Sequence, residues 1–236
     1  MLAVIDSRAP IEAVRALRQL GHEICMLPAL PALPKPVSGH PDMLLFFAPD
    51  HILCSPAYAA IARFELSRIA AYCEKPIRVT EQDVCAVYPH DILLNALPIG
   101  DRLFCHREMT ARELTALTCY RPLHVRQGYS KCAAIPIGDD ALITSDSSIA
   151  RAARGDGVEV QEVSCGGILL PGYDTGLIGG AASFAPYGGI NEILFCGDLN
   201  THPDVAAIDL FCRAHGKETV SLCSGQLTDV GTIFLI

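Results

Sequence analysis

The chain has 236 residues, half of them hydrophobic, and a formal net charge of −8 at pH 7. This composition allows a sizeable core, and an acidic chain without a basic stripe argues against nucleic acid as a partner. No apolar run approaches the roughly 20 residues that a membrane-spanning helix needs, so we predict no membrane partner. Residues 1–5 lack the basic region and cleavage site of a signal peptide. Together with the 11 cysteines, this predicts a cytoplasmic protein with free thiols.

Apolar runs alternate with polar turns in a recurring order of strand, strand, helix and strand. The order is clearest from residue 131, where Gly138-Asp139-Asp140 predicts a hairpin turn and Asp146, between Ser145 and Ser147, predicts a helix N-cap. In chain order the first predicted elements are a strand at 2–6, a helix at 11–20 and a strand at 23–27. Three similar groups follow: a hairpin at 42–54, a helix at 57–73 and a strand at 76–80; a hairpin at 91–105, a helix at 108–118 and a strand at 121–126; and a hairpin at 131–144, a helix at 149–154 and a strand at 158–163. The last predicted elements are strands at 174–180 and 193–196, a helix at 204–215, a strand at 219–222 and a strand at 229–236.

This order occurs five times, and two copies contain nearly the same pentapeptide, Leu97-Pro98-Ile99-Gly100-Asp101 and Ile135-Pro136-Ile137-Gly138-Asp139. A period of roughly 40–55 residues is typical of propellers and solenoids. The two ends of the chain are apolar strands that together complete one copy, and pairing them would remove two exposed sheet edges. We therefore predict an α/β fold in one domain, residues 1–236: a five-bladed pseudo-symmetric α/β propeller of ββαβ repeats, closed by pairing of the N- and C-terminal strands. The predicted repeats are 229–236 with 1–41, 42–90, 91–130, 131–173 and 174–228.

In such a ring the first strand of each repeat lies innermost, so the residue that leads into it is predicted to face the axis. These leading residues are Asp42, Asp91, Lys131 with Cys132, Asp174 and Asp229, and Tyr129 closely precedes one of them. Clustered carboxylates favour a cation, with Lys131 as an internal counter-ion, so we predict a small cationic molecule as the ligand. The alternative is that each aspartate caps its own turn.

Five such units closed head to tail resemble the pentein fold. That superfamily includes arginine and agmatine deiminases, dimethylarginine dimethylaminohydrolase and amidinotransferases, as well as a translation initiation factor without catalytic activity. Gly39-His40-Pro41-Asp42 is similar to the Gly-His-x-Asp motif of the enzymes. The resemblance implies that His40 is a general acid/base and that Asp42 binds a guanidinium group. The chain is most similar to uncharacterised bacterial proteins of this fold.

The cysteines depart from the pattern of the resembling enzymes, whose nucleophile lies near the C-terminus. Asp229 occupies the corresponding leading position here, Cys223 lies upstream of it, and Cys132 is the one cysteine at a leading position. Lys131 would lower the pKa of a neighbouring thiol, but adjacent residues on a strand point to opposite faces. Cys54, Cys105 and Cys196 are predicted to be small buried side chains, since they occupy equivalent repeat positions.

Three hypotheses remain open from the sequence. The first is a cysteine-dependent hydrolase or deiminase acting on a small guanidino or amidine compound in a central polar cavity, with Cys132 as nucleophile and His40 as proton carrier. The second is a non-catalytic binding module, and the third is a carboxylate-lined metal site. No Cys/His cluster has zinc-ligand spacing and no phosphate loop is in a strand–loop–helix context, so neither a metal ligand nor a cofactor is predicted. The oligomeric state is left open.

Overall fold

The structure is a computed structural model that describes all residues, 1–236. It is a mixed α/β fold in which short strands alternate with helices of at most 11 residues. None of its helices has the length and apolar character needed to cross a membrane.

The strands are short and distributed along the whole chain. In chain order they are β1 (Leu2–Asp6), β2 (Glu23–Leu27), β3 (Leu45–Phe47), β4 (Ile52–Cys54), β5 (Ile77–Val79), β6 (Leu97–Ile99), β7 (Arg102–Cys105), β8 (Arg121–His124), β9 (Ala134–Ile137), β10 (Ala141–Thr144), β11 (Glu159–Glu162), β12 (Ile168–Leu169), β13 (Ser183–Phe184), β14 (Glu192–Phe195), β15 (Glu218–Ser221), β16 (Leu227–Thr228) and β17 (Ile233–Leu235). The α-helices are α1 (Ile11–Gln19), α2 (Pro41–Leu44), α3 (Pro56–Ile61), α4 (Arg63–Cys73), α5 (Arg112–Thr115), α6 (Ser147–Gly155) and α7 (Val205–Ala214).

One pairing pattern recurs in the sheets. In β3-β4-β5, β6-β7-β8 and β9-β10-β11 the first strand pairs antiparallel with the second, and the second pairs parallel with the third across a helix. The C-terminal β17 pairs antiparallel with β1, which pairs parallel with β2, so the two chain ends share one sheet as the sequence predicts. In the remaining unit β14 pairs parallel with β15, and an isolated bridge joins Ala182 to Phe195.

Local sequence explains why the unit around β9 and β10 forms. Gly138 lies in the turn between β9 and β10 and adopts a φ of 71°, a left-handed conformation that residues other than glycine rarely adopt. The Asp146 side chain caps α6 by accepting from the backbone amides of Ser148 and Ile149 at 2.8 and 2.9 Å. Ile149, Ala150 and Ala153 then form the buried face of this helix. Both the turn and the cap are as predicted.

Several predicted boundaries are wrong, and each error lies just before a first strand or in a short helix. The segment predicted as the start of a strand at 42 is the helical turn α2, because Pro41 at its first position favours a helix start. The strand predicted at 174–180 is a turn rich in glycine, and the next strand, β13, pairs parallel with β17 in the terminal sheet. The helix predicted at 108–118 shortens to the four residues of α5.

The terminal sheet is held by a buried apolar cluster. Ala3 and Ile5 of β1 and Ile233 and Leu235 of β17 pack with Leu17 of α1, all of them fully or almost fully buried. The predicted burial of Cys54, Cys105 and Cys196 is confirmed, and all 11 cysteines are free thiols.

Shortening a buried side chain of β17 should therefore weaken the whole fold. We expect Leu235→Ala to lower the free energy of unfolding by about 2–4 kcal/mol, because Leu235 is only 1% exposed and pairs with β1. The matched control is Leu210→Ala on α7, where the side chain is 71% exposed and the expected change is within about 0.5 kcal/mol. Urea denaturation measures both, and equal stability of the two variants would contradict the structural role of the terminal pairing.

Candidate functional site

The site is built from turns that immediately precede first strands. Leu45 of β3 pairs with Cys54, and Ala134 of β9 pairs with Thr144. Asp42 and Lys131 each lie three positions before those first-strand residues, so they hold equivalent places in two different units. Equivalent places in repeated units bring side chains that are distant in sequence into one cluster.

The thiol of Cys132 lies against the carboxylate of Asp42. Its Sγ donates to Asp42 Oδ2 at 2.9 Å, and the Asn95 side-chain amide donates to the same sulfur at 3.4 Å. Asn95 also accepts from the Lys131 backbone amide at 2.8 Å, which fixes the turn that carries the thiol. Cys132 is 3% exposed, and burial together with the nearby Asp42 and Asp229 charges raises the pKa of its thiol well above the usual value. The resting thiol is therefore protonated.

Thr232 connects this pair to the buried lysine. Its hydroxyl oxygen lies 2.8 Å from Asp42 Oδ2 and 3.0 Å from the Gly179 carbonyl oxygen, and it accepts from Lys131 Nζ at 3.1 Å. Thr232 has a φ of 68°, a left-handed conformation that is unfavourable for a β-branched residue. Such strain persists where the surroundings hold it, and it concentrates at functional sites.

Lys131 is fully buried beside Cys132, and both side chains reach the cluster. The expectation that they point to opposite faces of a strand is wrong, because residues 130–133 form a turn that ends where β9 begins. Burial lowers the pKa of Lys131 to about 8, although Asp42, Cys132 and Asp229 act in the opposite direction. The Lys131 ammonium also lies 5.1 Å from the centre of the Phe184 ring, within cation–π distance.

Asp229 and His40 form the part of the site that lines a cleft, although both side chains are almost fully buried. Asp229 accepts from the backbone amides of Leu177 and Gly231 at 2.9 and 3.0 Å, and its burial raises the pKa of the carboxyl despite the opposing effect of His40. His40 Nδ1 lies 3.7 Å from Asp229 Oδ1. A Cβ at Gly180 would lie 2.0 Å from Asp229 Oδ1, and one at Gly231 would lie 2.1 Å from the His40 Cβ, so only glycine permits this packing.

His40 and Asp229 open onto a cleft of about 670 Å³. Its walls come from the segments 6–10, 35–36, 169–172 and 228–230. Arg8 stands in this wall, where it is ion-paired with the buried Asp6 at 2.6 Å and donates to the backbone carbonyl oxygens of Lys35 and Pro36. Asp42 and Cys132 do not line the cleft, because they lie deeper in the molecule.

The other predicted site residues lie apart from the cluster. Tyr129 donates its hydroxyl to Asp91 Oδ2 at 2.6 Å, and burial raises the pKa of Asp91, but no hydrogen bond or ion pair joins either residue to Asp42, Cys132 or Asp229. Asp174 is exposed on a loop. Its predicted place at the axis must be corrected, because the unit that it was assigned to lead begins its first strand after residue 180.

Two residues of the cluster were not predicted from the sequence, Asn95 and Thr232. Each is a single polar residue inside an apolar run, 92–97 for Asn95 and 230–236 for Thr232. A polar side chain in such a run is buried and needs a hydrogen-bond partner. A lone polar residue in an apolar run could therefore have indicated both positions, but this pattern does not identify the hydrogen-bond partner.

The model of a family of unknown function, DUF6873, matches residues 4–234 of the chain. The chain belongs to this family. No curated protein matches this DUF6873 chain.

Two solved structures show its fold. One is a cysteine-to-serine variant of DDAH from Pseudomonas aeruginosa in complex with citrulline, with a TM-score of 0.53 and 8% identity over 93% of this chain and 91% of that one. The other is SxtG, an amidinotransferase of the saxitoxin biosynthetic pathway from Microseira wollei, with a TM-score of 0.54 and 7% identity over 91% of this chain and 73% of that one. Both belong to the pentein superfamily, so the predicted resemblance is confirmed at the level of the fold.

The Thr232 hydroxyl should be needed to bury Asp42 and Lys131 together. We expect Thr232→Val, which keeps the branched shape, to lower the free energy of unfolding by about 2–4 kcal/mol, because it removes the group that joins two buried charged side chains. Thr232→Ser keeps the hydroxyl and should cost less than about 1 kcal/mol. Urea denaturation at neutral pH distinguishes the two, and a Val variant as stable as the Ser variant would show that this bridge contributes nothing.

Proposed function

We propose that the chain is a cysteine-dependent hydrolase or deiminase that acts on a small guanidino or amidine compound. The observation that carries this proposal is the buried group of His40, Asp42 and Cys132, in which an imidazole nitrogen, a carboxylate oxygen and a thiol sulfur all lie within 4.8 Å of one another. A nucleophile, a proton carrier and an anionic anchor are the parts that such a reaction requires. The five strand units form a five-bladed propeller in a single domain, with this group at its axis.

The charges of the cluster favour a planar cation as the substrate. Asp42 Oδ1 is buried without a hydrogen-bond partner, and Asp229 is a second buried carboxylate close by. A guanidinium or amidinium group presents several N–H donors in one plane and pairs with carboxylates through short charge-assisted hydrogen bonds. Asp42 and Asp229 therefore hold the cation, and Lys131 limits the net negative charge of the empty site.

The reaction begins when Cys132 transfers its proton to Asp42 Oδ2, which already accepts it in a hydrogen bond, and Asp229 then holds the cation as the remaining carboxylate. The thiolate sulfur attacks the central carbon of the cation and forms a C–S bond, and the C–N bond to the departing amine breaks as protonated His40 gives its proton to that nitrogen. Neutral His40 then removes a proton from water, whose oxygen attacks the same carbon, and the C–S bond breaks. The sulfur takes back its proton from Asp42, and the proton on the new oxygen passes to the released ammonia. The sum is guanidinium plus water giving a urea plus ammonium, with Cys132, Asp42 and His40 restored.

The Cys132 thiol is not accessible to a substrate in the resting structure. Cys132 is 3% exposed and does not line the 670 Å³ cleft, whereas His40 and Asp229 do. The substrate therefore enters by this cleft. A covered thiol with a raised pKa also keeps the nucleophile unreactive until a cation arrives.

The same raised pKa favours a second function, a non-catalytic binding module. The Cys132 thiol donates to Asp42 and the Lys131 ammonium donates to Thr232, so no hydrogen bond from a cation holds the sulfur as a thiolate. A binding module would take up the same cations in the same cavity without turnover.

The test is turnover of arginine, agmatine and methylated arginines by the purified protein, followed through the ureido product and ammonium. We expect activity on at least one of them and a loss of about 100-fold or more in Cys132→Ser. The matched control Cys119→Ser, at an exposed thiol, should keep full activity. Unchanged turnover in Cys132→Ser would remove Cys132 from the mechanism.

Alkylation distinguishes the enzyme from the binding module. 2-Chloroacetamidine carries the amidinium cation, and 2-chloroacetamide is its neutral analogue. The rate of alkylation of Cys132 by the first reagent is divided by the rate with the second, and this ratio is divided by the same ratio measured with free glutathione. The normalised ratio reports recruitment of a cation to a reactive thiol. The enzyme predicts a ratio well above one. A ratio of one without turnover, together with a thermal shift by agmatine, identifies the binding module.

A further inference from the structure

His40, Asp42 and Cys132 also have the composition of a metal-binding site. They offer one nitrogen, one oxygen and one sulfur, all three residues are buried, and the three ligand atoms lie within 4.8 Å of one another. We propose that these three side chains bind one divalent cation of borderline softness, of which Zn²⁺ is the type. This proposal stands without the proposed function, because it concerns binding alone.

Unused ligand atoms point to such an ion. Asp42 Oδ1 and His40 Nδ1 are both buried without a hydrogen-bond partner, which is costly for polar atoms in a protein interior. Asp42 can bind a metal through Oδ1 and keep Oδ2 for the hydroxyl of Thr232. The only hydrogen bond that is lost is the one that the Cys132 thiol donates.

The distances suit a small ion. Zinc bonds of about 2.3 Å to sulfur and about 2.0–2.2 Å to nitrogen and oxygen place tetrahedral ligand atoms about 3.5 Å apart. The three ligand atoms lie within 4.8 Å of one another, so side-chain movements of about 1 Å bring them to those separations. Three protein ligands leave a fourth position open, as in catalytic rather than structural zinc sites.

The donor set selects among metals. Thiolate and imidazole ligands favour zinc and similar ions, whereas Mg²⁺ and Ca²⁺ prefer oxygen ligands alone. The Asn95 amide already orients one ligand, because it donates to the Cys132 sulfur. Lys131 remains a nearby positive charge, and the cavity that it lines with Asp42 holds about 10 Å³, enough for a water and no more.

Binding must release a proton and block the thiol. The Cys132 sulfur binds as a thiolate, so its proton leaves to solvent and the ion's two positive charges are balanced by the thiolate and Asp42. Because the unbound thiol is protonated near neutral pH and the bound sulfur is a thiolate, metal affinity should rise about tenfold for each unit of pH in this range. The loaded protein cannot use Cys132 as a nucleophile, so metal and a substrate that reacts at the sulfur exclude one another.

The experiment is titration of the metal-free full-length protein with Co²⁺ and then with Zn²⁺. We expect one Co²⁺ per chain, with a thiolate-to-cobalt charge-transfer absorption, and its displacement by one equivalent of Zn²⁺. Cys132→Ser should abolish that absorption, and His40→Gln and Asp42→Asn should each weaken binding at least about tenfold. Cys119→Ser is the control that should bind as the unmodified chain does.

Circular dichroism and urea denaturation of each metal-free variant establish that it folds, and for any that does not, the pH dependence of affinity in the unmodified chain remains a test. Absence of stoichiometric binding, binding without pH dependence, or charge transfer retained in Cys132→Ser would overturn the site. None of these measurements uses a substrate. Metal binding without turnover would therefore contradict only the proposed hydrolase, and turnover of guanidines without metal binding would contradict only the metal site.

Discussion

The fold removes several charged groups from water in one place, and it depends on the hydrogen bonds that replace their lost solvation. A buried carboxylate or ammonium is tolerated only when hydrogen bonds replace the lost solvation. Asp42 receives hydrogen bonds from the Cys132 thiol and lies against the Thr232 hydroxyl, Lys131 donates to that hydroxyl, and Asp229 accepts from two backbone amides. The compensation is incomplete at Asp42 Oδ1, which is buried without a hydrogen-bond partner.

No single element of the fold holds this cluster together. Cys132 and Asp42 are 90 positions apart in the chain, and Thr232 and Asp42 are 190 positions apart. The contacts exist because each repeated unit presents the turn before its first strand toward the same region, and because β17 at the C-terminus pairs with β1 at the N-terminus. Pairing of the chain ends is therefore a condition for the site as well as for stability, since it fixes the turn that carries Asp229 and Thr232.

Much of this follows from the sequence, and the part that does not has a physical reason. Matching hairpins such as 97–101 and 135–139 revealed the period, and the period placed Asp42, Lys131, Cys132 and Asp229 together. The position of Asp174 was wrong because residues 174–180 form a loop and turn instead of the expected strand. Gly176, Gly179 and Gly180 pack there so closely against Asp229 and Ala134 that a Cβ would not fit. Asn95 and Thr232 were missed because local pattern shows that a polar side chain is buried but not which distant group it meets. The left-handed backbone of Thr232 is likewise set by its contacts, since threonine alone disfavours it.

Both proposals for the cluster, recruitment of an organic cation and binding of a metal, rest on energetic coupling between its buried opposite charges. A double-mutant cycle with Asp42→Asn and Lys131→Met, read as the free energy of unfolding in urea at neutral pH, measures this coupling directly. Each single change leaves a buried group without its compensation, whereas the double change removes both. The account predicts that the two effects are non-additive by about 1–3 kcal/mol, with the double variant more stable than the sum implies. Effects that add to within about 0.5 kcal/mol would show that Asp42 and Lys131 are independent, and would contradict a cluster organised around compensated charge.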